Sequence, residues 1–448
     1  MRGHFIISQN RFGAMRRSLK YVLFNIYIAI VTIAIPAHAE DASSKTQSSA
    51  APNENDAPRG NHNHASHAGA RVLNGVVSLD VFADGDGLHL LTGKKTGAGV
   101  VLLHQLSKDN GESWSNDAAV QGPPDAGTNV SRGADARIVA AKGALIALWT
   151  SRVENAPYQA GPLVSARSID GGKTWTPGAI PADWSAGSHG FHTLATDGKT
   201  LHAVWLDSRD GKSGVPGSQG LRYAYSTDGG VRWAKNITLD DVSCACCWTT
   251  GKVDAGGKFF VLYRDKQPSD MAIGVVDPKT RHWTRLSTVG AFGWDFPGCP
   301  HIGGGIAFRK AGKTQEIHAV VGTRKKGDAG IYHLRSSDGG KSWMEPLRLG
   351  DETATHADIA VGRNGRLAAV WDMIDPQAND GSVAIYASLS DDGVNWASPA
   401  KLSISNVMAS HPRIVPAQDA FRVLWTEQTE GKESSVGSAL LGGGLASK

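Results

Sequence analysis

The chain has 448 residues, 41% of them hydrophobic, with 46 Lys and Arg against 42 Asp and Glu. That length and apolar share can bury a large core, in one big all-β domain or in two or three smaller ones. So even a charge balance argues against nucleic acid as partner, because such proteins carry a marked basic excess.

Residues 1–39 read as an export signal. Arg11, Arg16, Arg17 and Lys20 precede the apolar run YVLFNIYIAIVTIAI and a small-residue site at Ala37-His38-Ala39. Cleavage is expected after Ala39, giving a periplasmic or secreted protein. The run is about 15 residues where a bilayer span needs roughly 20, so no membrane span is expected. Removing the signal takes five basic residues and no acid, so the formal charge moves from +4 to about −1. Residues 40–70 are rich in Ser, Ala, Asn and Pro and nearly devoid of large apolar side chains, which predicts a disordered linker. It carries His62, His64 and His67, either a weak metal-binding tract or a solvated leader.

From residue 71 onward a period emerges. SKDNGESW (107–114), SIDGGKTW (168–175), STDGGVRW (226–233) and SSDGGKSW (336–343) share S-x-D-x-G-x-x-W. LSDDGVNW (389–396) has Leu389 in place of the Ser, and VDPKTRHW (276–283) keeps only the Trp. The six Trp positions fall 50 to 61 residues apart, a spacing that implies one supersecondary unit per copy. Between boxes, runs such as FHTLATDGKTLHAVWLDSRDG read as strand, tight turn, strand, followed by a third strand, the box as a turn, and a short fourth strand. That organisation predicts an all-β fold, a β-propeller of four-stranded blades over 71–448.

The boxes resemble the Asp-box, or BNR repeat, of the sialidase-like proteins, and the chain is read as a divergent member of that group. The resemblance implies that the box residues are structural. Innermost strands are expected to start near 76, 135, 190, 246, 301, 356 and 411, giving seven blades, whereas sialidases have six, the alternative. The last copy has three strands and no box, so residues 70–74 are expected to supply a fourth strand and close the ring.

Starts of inner strands should ring the mouth of the central channel. That position carries Arg132, Asp135 and Arg137, His189 and His192, Cys244, Cys246 and Cys247, Cys299 and His301, His356 and Asp358, and His411 and Arg413. Three chemistries fit. Thiolate and imidazole would bind a soft or borderline ion, copper rather than zinc, with Met271, Met373 or Met408 as further donors. In an extended segment Cys244 and Cys246 point one way and Cys247 the other. In an oxidising compartment the same thiols could instead form disulfides, for example to Cys299.

The second chemistry is suggested by the resemblance: a glycoside hydrolase or lyase acting on an acidic sugar or other small acidic ligand. Ends of second strands supply Arg152, Arg209, Arg264 and Arg324 to grip a carboxylate, with Asp207, Asp265, Asp372 and Glu427 nearby and Tyr263, Tyr332 and Tyr386 as candidate nucleophiles. The Phe-Arg-Ile-Pro signature of sialidases is missing from the first blade, and PRIVP (412–416) is its nearest echo. The third possibility is a non-catalytic binding or assembly propeller.

Overall fold

The computed structural model describes residues 74–442 apart from 157–158, 211–214, 216 and 299. The segment 1–39 read as an export signal, the expected linker 40–70 with its three histidines, and Cys299 lie outside the described residues. The described chain forms seven antiparallel sheets in sequence order. Their inner strands are Gly75–Ala83, Arg137–Ala141, His189–Thr196, Thr250–Val253, Gly304–Ala311, Ala357–Val361 and Met408–Ala417. These are the starts that the period predicts, so the fold is a seven-bladed β-propeller and the six-bladed alternative is set aside. Among the described residues no helix is long and apolar enough to cross a membrane.

Each blade buries both faces against its neighbours, so the core divides into seven clusters, one at every blade interface. The second strands contribute the largest side chains, Trp149, Trp205, Trp371 and Trp425, each at most 3% exposed. Inner strands have no further strand beside them, so their backbone amides need side-chain acceptors. Adjacent blades supply these: Leu79 N donates to Asp135 Oδ1 (2.9 Å), Ile138 N to Asp80 Oδ2 (3.0 Å) and Gly251 N to Thr193 Oγ1 (3.1 Å).

The S-x-D turns are built alike. In the second, Ser168 Oγ donates to Asp170 Oδ1 (2.7 Å) and accepts from Gly172 N (2.9 Å), while Asp170 takes the Lys173 and Thr174 amides. In the fifth the Ser role passes to Ser390 rather than lapsing at Leu389: Ser390 Oγ donates to Asp392 and accepts from Gly393 N at 2.8 Å, in a turn one residue shorter. Ser168 and Ser336 are buried, so their hydroxyls satisfy amides that water does not reach. Ser168→Ala and Ser336→Ala should each lower the unfolding free energy by about 1 kcal/mol, read from urea titrations.

The seventh sheet has three strands among the described residues. Of the expected closing segment 70–74, only Asn74 is described. Its carbonyl accepts from Ser434 N (3.3 Å), and Val76 N donates to Ser434 O (3.0 Å), which joins the first blade to the last.

Candidate metal centre at the channel mouth

Second strands decide what reaches the mouth, through their two-residue alternation. Trp205 and Trp425 each donate an indole N–H to the carboxylate two residues on, Asp207 and Glu427, at 2.9 Å. Those carboxylates are thereby committed to the blade interior. The residue immediately after each aromatic points the other way, toward the inner-strand starts. Thr150 Oγ1 donates to His189 O (2.7 Å), Thr426 Oγ1 to Ser410 O (3.2 Å) and Arg264 Nε to Ile302 O (2.9 Å). Asp372 occupies the same register after Trp371.

Cys244 does not open an inner strand: it ends the outer strand Ile237–Cys244 of the third blade, where it pairs with Ser218. A turn follows, held by Ala245 N on Gly217 O (2.9 Å), and the inner strand of the fourth blade begins at Thr250. The turn brings all three sulfurs together, against the extended-segment expectation that Cys247 points away. Cys244 Sγ lies 3.7 Å from Cys246 Sγ and 3.4 Å from Cys247 Sγ, and none of the three is bridged. All are buried, with Phe191 packed against them.

Electrostatics sets two members of the trio apart. Thiol hydrogen bonds from Cys246 and Cys247 outweigh burial and hold Cys244 down at about 3, with the Arg264 guanidinium assisting. Burial, and then the Cys244 thiolate, push Cys247 far up. The Cys244 proton therefore leaves easily, and an incoming cation has to displace that of Cys247.

Arg264 is 2% exposed, and its donors serve three carbonyls: Ile302 O, Ser269 O (2.6 Å) and Gly322 O (2.9 Å). A bridge between Ser243 and Asp265 sets it alongside Cys244.

A second cluster forms where the last two blades face the fourth. Asp372 accepts from His356 Nδ1 (2.6 Å), His356 N (3.0 Å), His411 N (2.8 Å) and Thr355 Oγ1. Burial alone would raise its pKa, but the His356 imidazole and these hydrogen bonds hold it well below the carboxylate range. The His356 and His411 rings stack at 3.5 Å and 17°, and the Trp248 ring lies against both, at 5.4 and 6.3 Å. Gly303 is required here, since a Cβ would sit 2.1 Å from the Trp248 indole nitrogen. Phe191, His301 and His411 all hold positive φ, 49°, 52° and 54°, a conformation that bulky residues adopt only where their surroundings enforce it.

The cavity bordering this cluster measures about 20 Å³, room for about one water or ion. Arg132, Arg137 and Arg413 line it. Arg132 is paired with Asp135, Arg137 with Asp80 at 3.2 Å, and Arg413 with Asp80 at 3.1 Å and Asp358 at 3.7 Å. A larger concavity, about 700 Å³, is open surface bordered by four residues of the outer strand at 238–241.

The other expected histidines and two of the methionines meet backbone groups, rings or core side chains. His189 Nδ1 accepts from Leu163 N (3.2 Å) and His192 Nε2 donates to Leu148 O (2.9 Å); burial holds each ring neutral, with a pKa of about 4. His301 sits across the Phe191 ring at 6.1 Å. Met271 is core, and Met373 Sδ accepts the Trp371 indole N–H.

None of Arg152, Arg209, Arg264 and Arg324 lines the mouth cavity. Arg209 is clamped by Asp207 and Asp183, and Arg324 donates to Glu352 O. The hydroxyls of Tyr263, Tyr332 and Tyr386 serve Asp240, the Asp328 carbonyl and Asp375. Trp248 was not foreseen, although it directly follows the cysteine run.

No family model matches the sequence, and no curated protein matches it. Solved structures do match. An ulvan lyase of the polysaccharide lyase family PL25 shares 12% identity at TM-score 0.52, over 82% of this chain and 94% of that one. An α-L-arabinanase from Penicillium chrysogenum shares 16% at 0.47, over 71% and 94%. The NanB sialidase from Streptococcus pneumoniae shares 11% at 0.42, over 83% and 68%. Glycoside hydrolases and a polysaccharide lyase are thus among the structural neighbours, and at these identities the likeness is one of fold.

Proposed function

We propose that this protein binds a soft transition-metal ion, copper(I) in preference to zinc, through Cys244, Cys246 and Cys247, as a carrier or sensor of that ion. The supporting observation is the convergence of three buried sulfurs, Cys246 and Cys247 Sγ at 3.7 and 3.4 Å from Cys244 Sγ and all three within 4.8 Å of one another. A three-coordinate ion with metal–sulfur bonds of about 2.3 Å would set its sulfurs about 4.0 Å apart, so the two contacts of Cys244 Sγ, at 3.7 and 3.4 Å, have to lengthen by about 0.3 and about 0.6 Å. Three thiolates suit a soft monovalent ion, whereas structural zinc takes four ligands. The exported leader with His62, His64 and His67 would raise the local ion concentration.

Reduced protein titrated anaerobically with copper(I) against a colorimetric chelator should retain one ion per chain. Cys244→Ser/Cys246→Ser should weaken retention by about 100-fold or more. A wild-type protein that yields its copper as readily as the variant overturns the reading.

The second reading, a hydrolase or lyase acting on an acidic sugar, draws on the three guanidiniums at the mouth and on the company of the neighbours. Against it, each guanidinium already has a carboxylate, and the cavity has the room of a water rather than of a sugar ring. Turnover of a fluorogenic sialoside that is abolished by Arg413→Ala would promote it.

A further inference from the structure

We propose that the reduced thiol trio also binds a trivalent metalloid, the arsenic(III) of arsenite, as a three-coordinate thiolate complex; this rests on the reading of Cys244, Cys246 and Cys247 as one site but not on copper as its ligand. Geometry separates the two elements. Copper(I) held by three sulfurs is planar, whereas arsenic(III) carries a lone pair that folds its three bonds into a pyramid. Bonds of about 2.3 Å at angles of about 100° set neighbouring sulfurs about 3.5 Å apart, against about 4.0 Å in the plane. The two contacts of Cys244 Sγ, 3.7 and 3.4 Å, bracket the pyramidal value, and both fall short of the planar one. Cys246 and Cys247 Sγ, within 4.8 Å of each other, complete the base of the pyramid.

The surroundings suit such a complex. The apex of the pyramid is a lone pair that takes no ligand, and the apolar ring of Phe191 is packed against the cluster. Among the described residues no histidine or carboxylate joins the three sulfurs as a fourth donor. Charge points the same way. Cys244, Cys246 and Cys247 are 1%, 5% and 1% exposed, and three thiolates on copper(I) would leave two negative charges there. Arg264, alongside Cys244, already gives its donors to three carbonyls, and buried charges without full pairing are costly. Three thiolates on arsenic(III) leave no charge at all.

Arsenite near neutral pH is the uncharged acid As(OH)3. As it enters, three As–O bonds break and three As–S bonds form. Each hydroxide leaves as water with a thiol proton, a solvent proton serving where Cys244 is already ionised. Arsenic stays trivalent, so no oxidant or reductant takes part.

Sodium arsenite added anaerobically to the reduced full-length protein, followed by native mass spectrometry, tests the assignment. Each chain should gain one arsenic and lose three hydrogens, and Cys244→Ser, Cys246→Ser and Cys247→Ser should each weaken retention by about tenfold or more. Every single variant keeps two thiols of the trio and should still take phenylarsenoxide, whose arsenic offers only two exchangeable bonds; this separates a lost ligand from a lost fold. Cys299→Ser should retain arsenite as wild type does. Copper(I) retention is measured on the same samples with the colorimetric chelator. Wild type that holds copper(I) but not arsenite overturns this proposal alone. Wild type that gains arsenic with loss of three hydrogens, yet yields its copper as readily as Cys244→Ser/Cys246→Ser, overturns the copper reading alone. Loss of only two hydrogens, or full retention in any of the three single variants, overturns the three-sulfur complex.

Discussion

Unfolding free energy should fall steeply as pH is lowered from 6.5 to 4. Seven buried imidazoles carry depressed pKa values, six of them strongly: His104, His189, His192, His202 and His318 at about 4, and His333 at about 3, with His89 lowered less. Burial is the largest cause for each. His89 and His318 add repulsion toward His104 and His333, to which they are hydrogen-bonded at 3.0 Å in two alike stacked pairs.

A folded-state pKa below the unfolded value of 6.5 means that the unfolded chain binds more protons between the two. Stability therefore rises with pH across that window and is lost as pH falls through it. Each proton taken up contributes a slope of about 1.4 kcal/mol per pH unit. A ring shifted by two to three units contributes on the order of 3 kcal/mol. Six such rings exceed the roughly 5–15 kcal/mol that holds a domain folded, so the propeller should unfold before all of them are protonated. Urea midpoints measured at half-unit steps from pH 7 to 4 check this, and a flat profile down to pH 5 would show that these rings are not neutral in the native state.

The second large effect is expected at Arg264. Arg264→Met fills most of the volume but strands the carbonyls of Ile302, Ser269 and Gly322, which join the fourth blade to the fifth. A stranded buried acceptor costs about 1–3 kcal/mol, and carbonyls fall at the low end, so a loss of about 3–5 kcal/mol is expected in urea unfolding. Arg264→Lys should fall between, because one ammonium cannot span three carbonyls. The methionine variant should also bind copper(I) only at higher pH than wild type, having lost the cation beside Cys244. Wild-type stability in Arg264→Met would show that the guanidinium does not join the blades.

The fold was legible because its signal is a period. A Trp every 50 to 61 residues, five of the six closing an S-x-D turn, counts blades without any knowledge of contacts, and inner-strand starts follow from that count. The convergence of the cysteines was only half legible. The spacing placed them near the channel, but the turn at Ala245 that swings Cys247 onto Cys244 is local geometry that alternation arguments miss. His189 and His192 share the ring of strand starts, yet their ring nitrogens meet backbone groups of Leu163 and Leu148, partners that only the packed structure reveals. Asp372 was within reach. Aligning WLD, YRD, WDM and WTE by their aromatic shows that its carboxylate lies one residue earlier than those of Asp207, Asp265 and Glu427, hence on the opposite side of the strand.

The interface between the seventh and first blades is the thinnest of the seven. Its six buried apolar residues, Leu79, Val81, Leu88, Leu90, Val415 and Leu424, compare with ten to twelve at every other interface among the described residues. A closed ring under thermal agitation parts at its weakest joint, and here Ser434 and the Asn74–Val76 segment act as the clasp. Arg132 spans that joint, from the Leu79 carbonyl to the His411 carbonyl. Opening of the clasp would drag on the imidazole pair while leaving the sulfur trio, seated between the third and fourth blades, undisturbed.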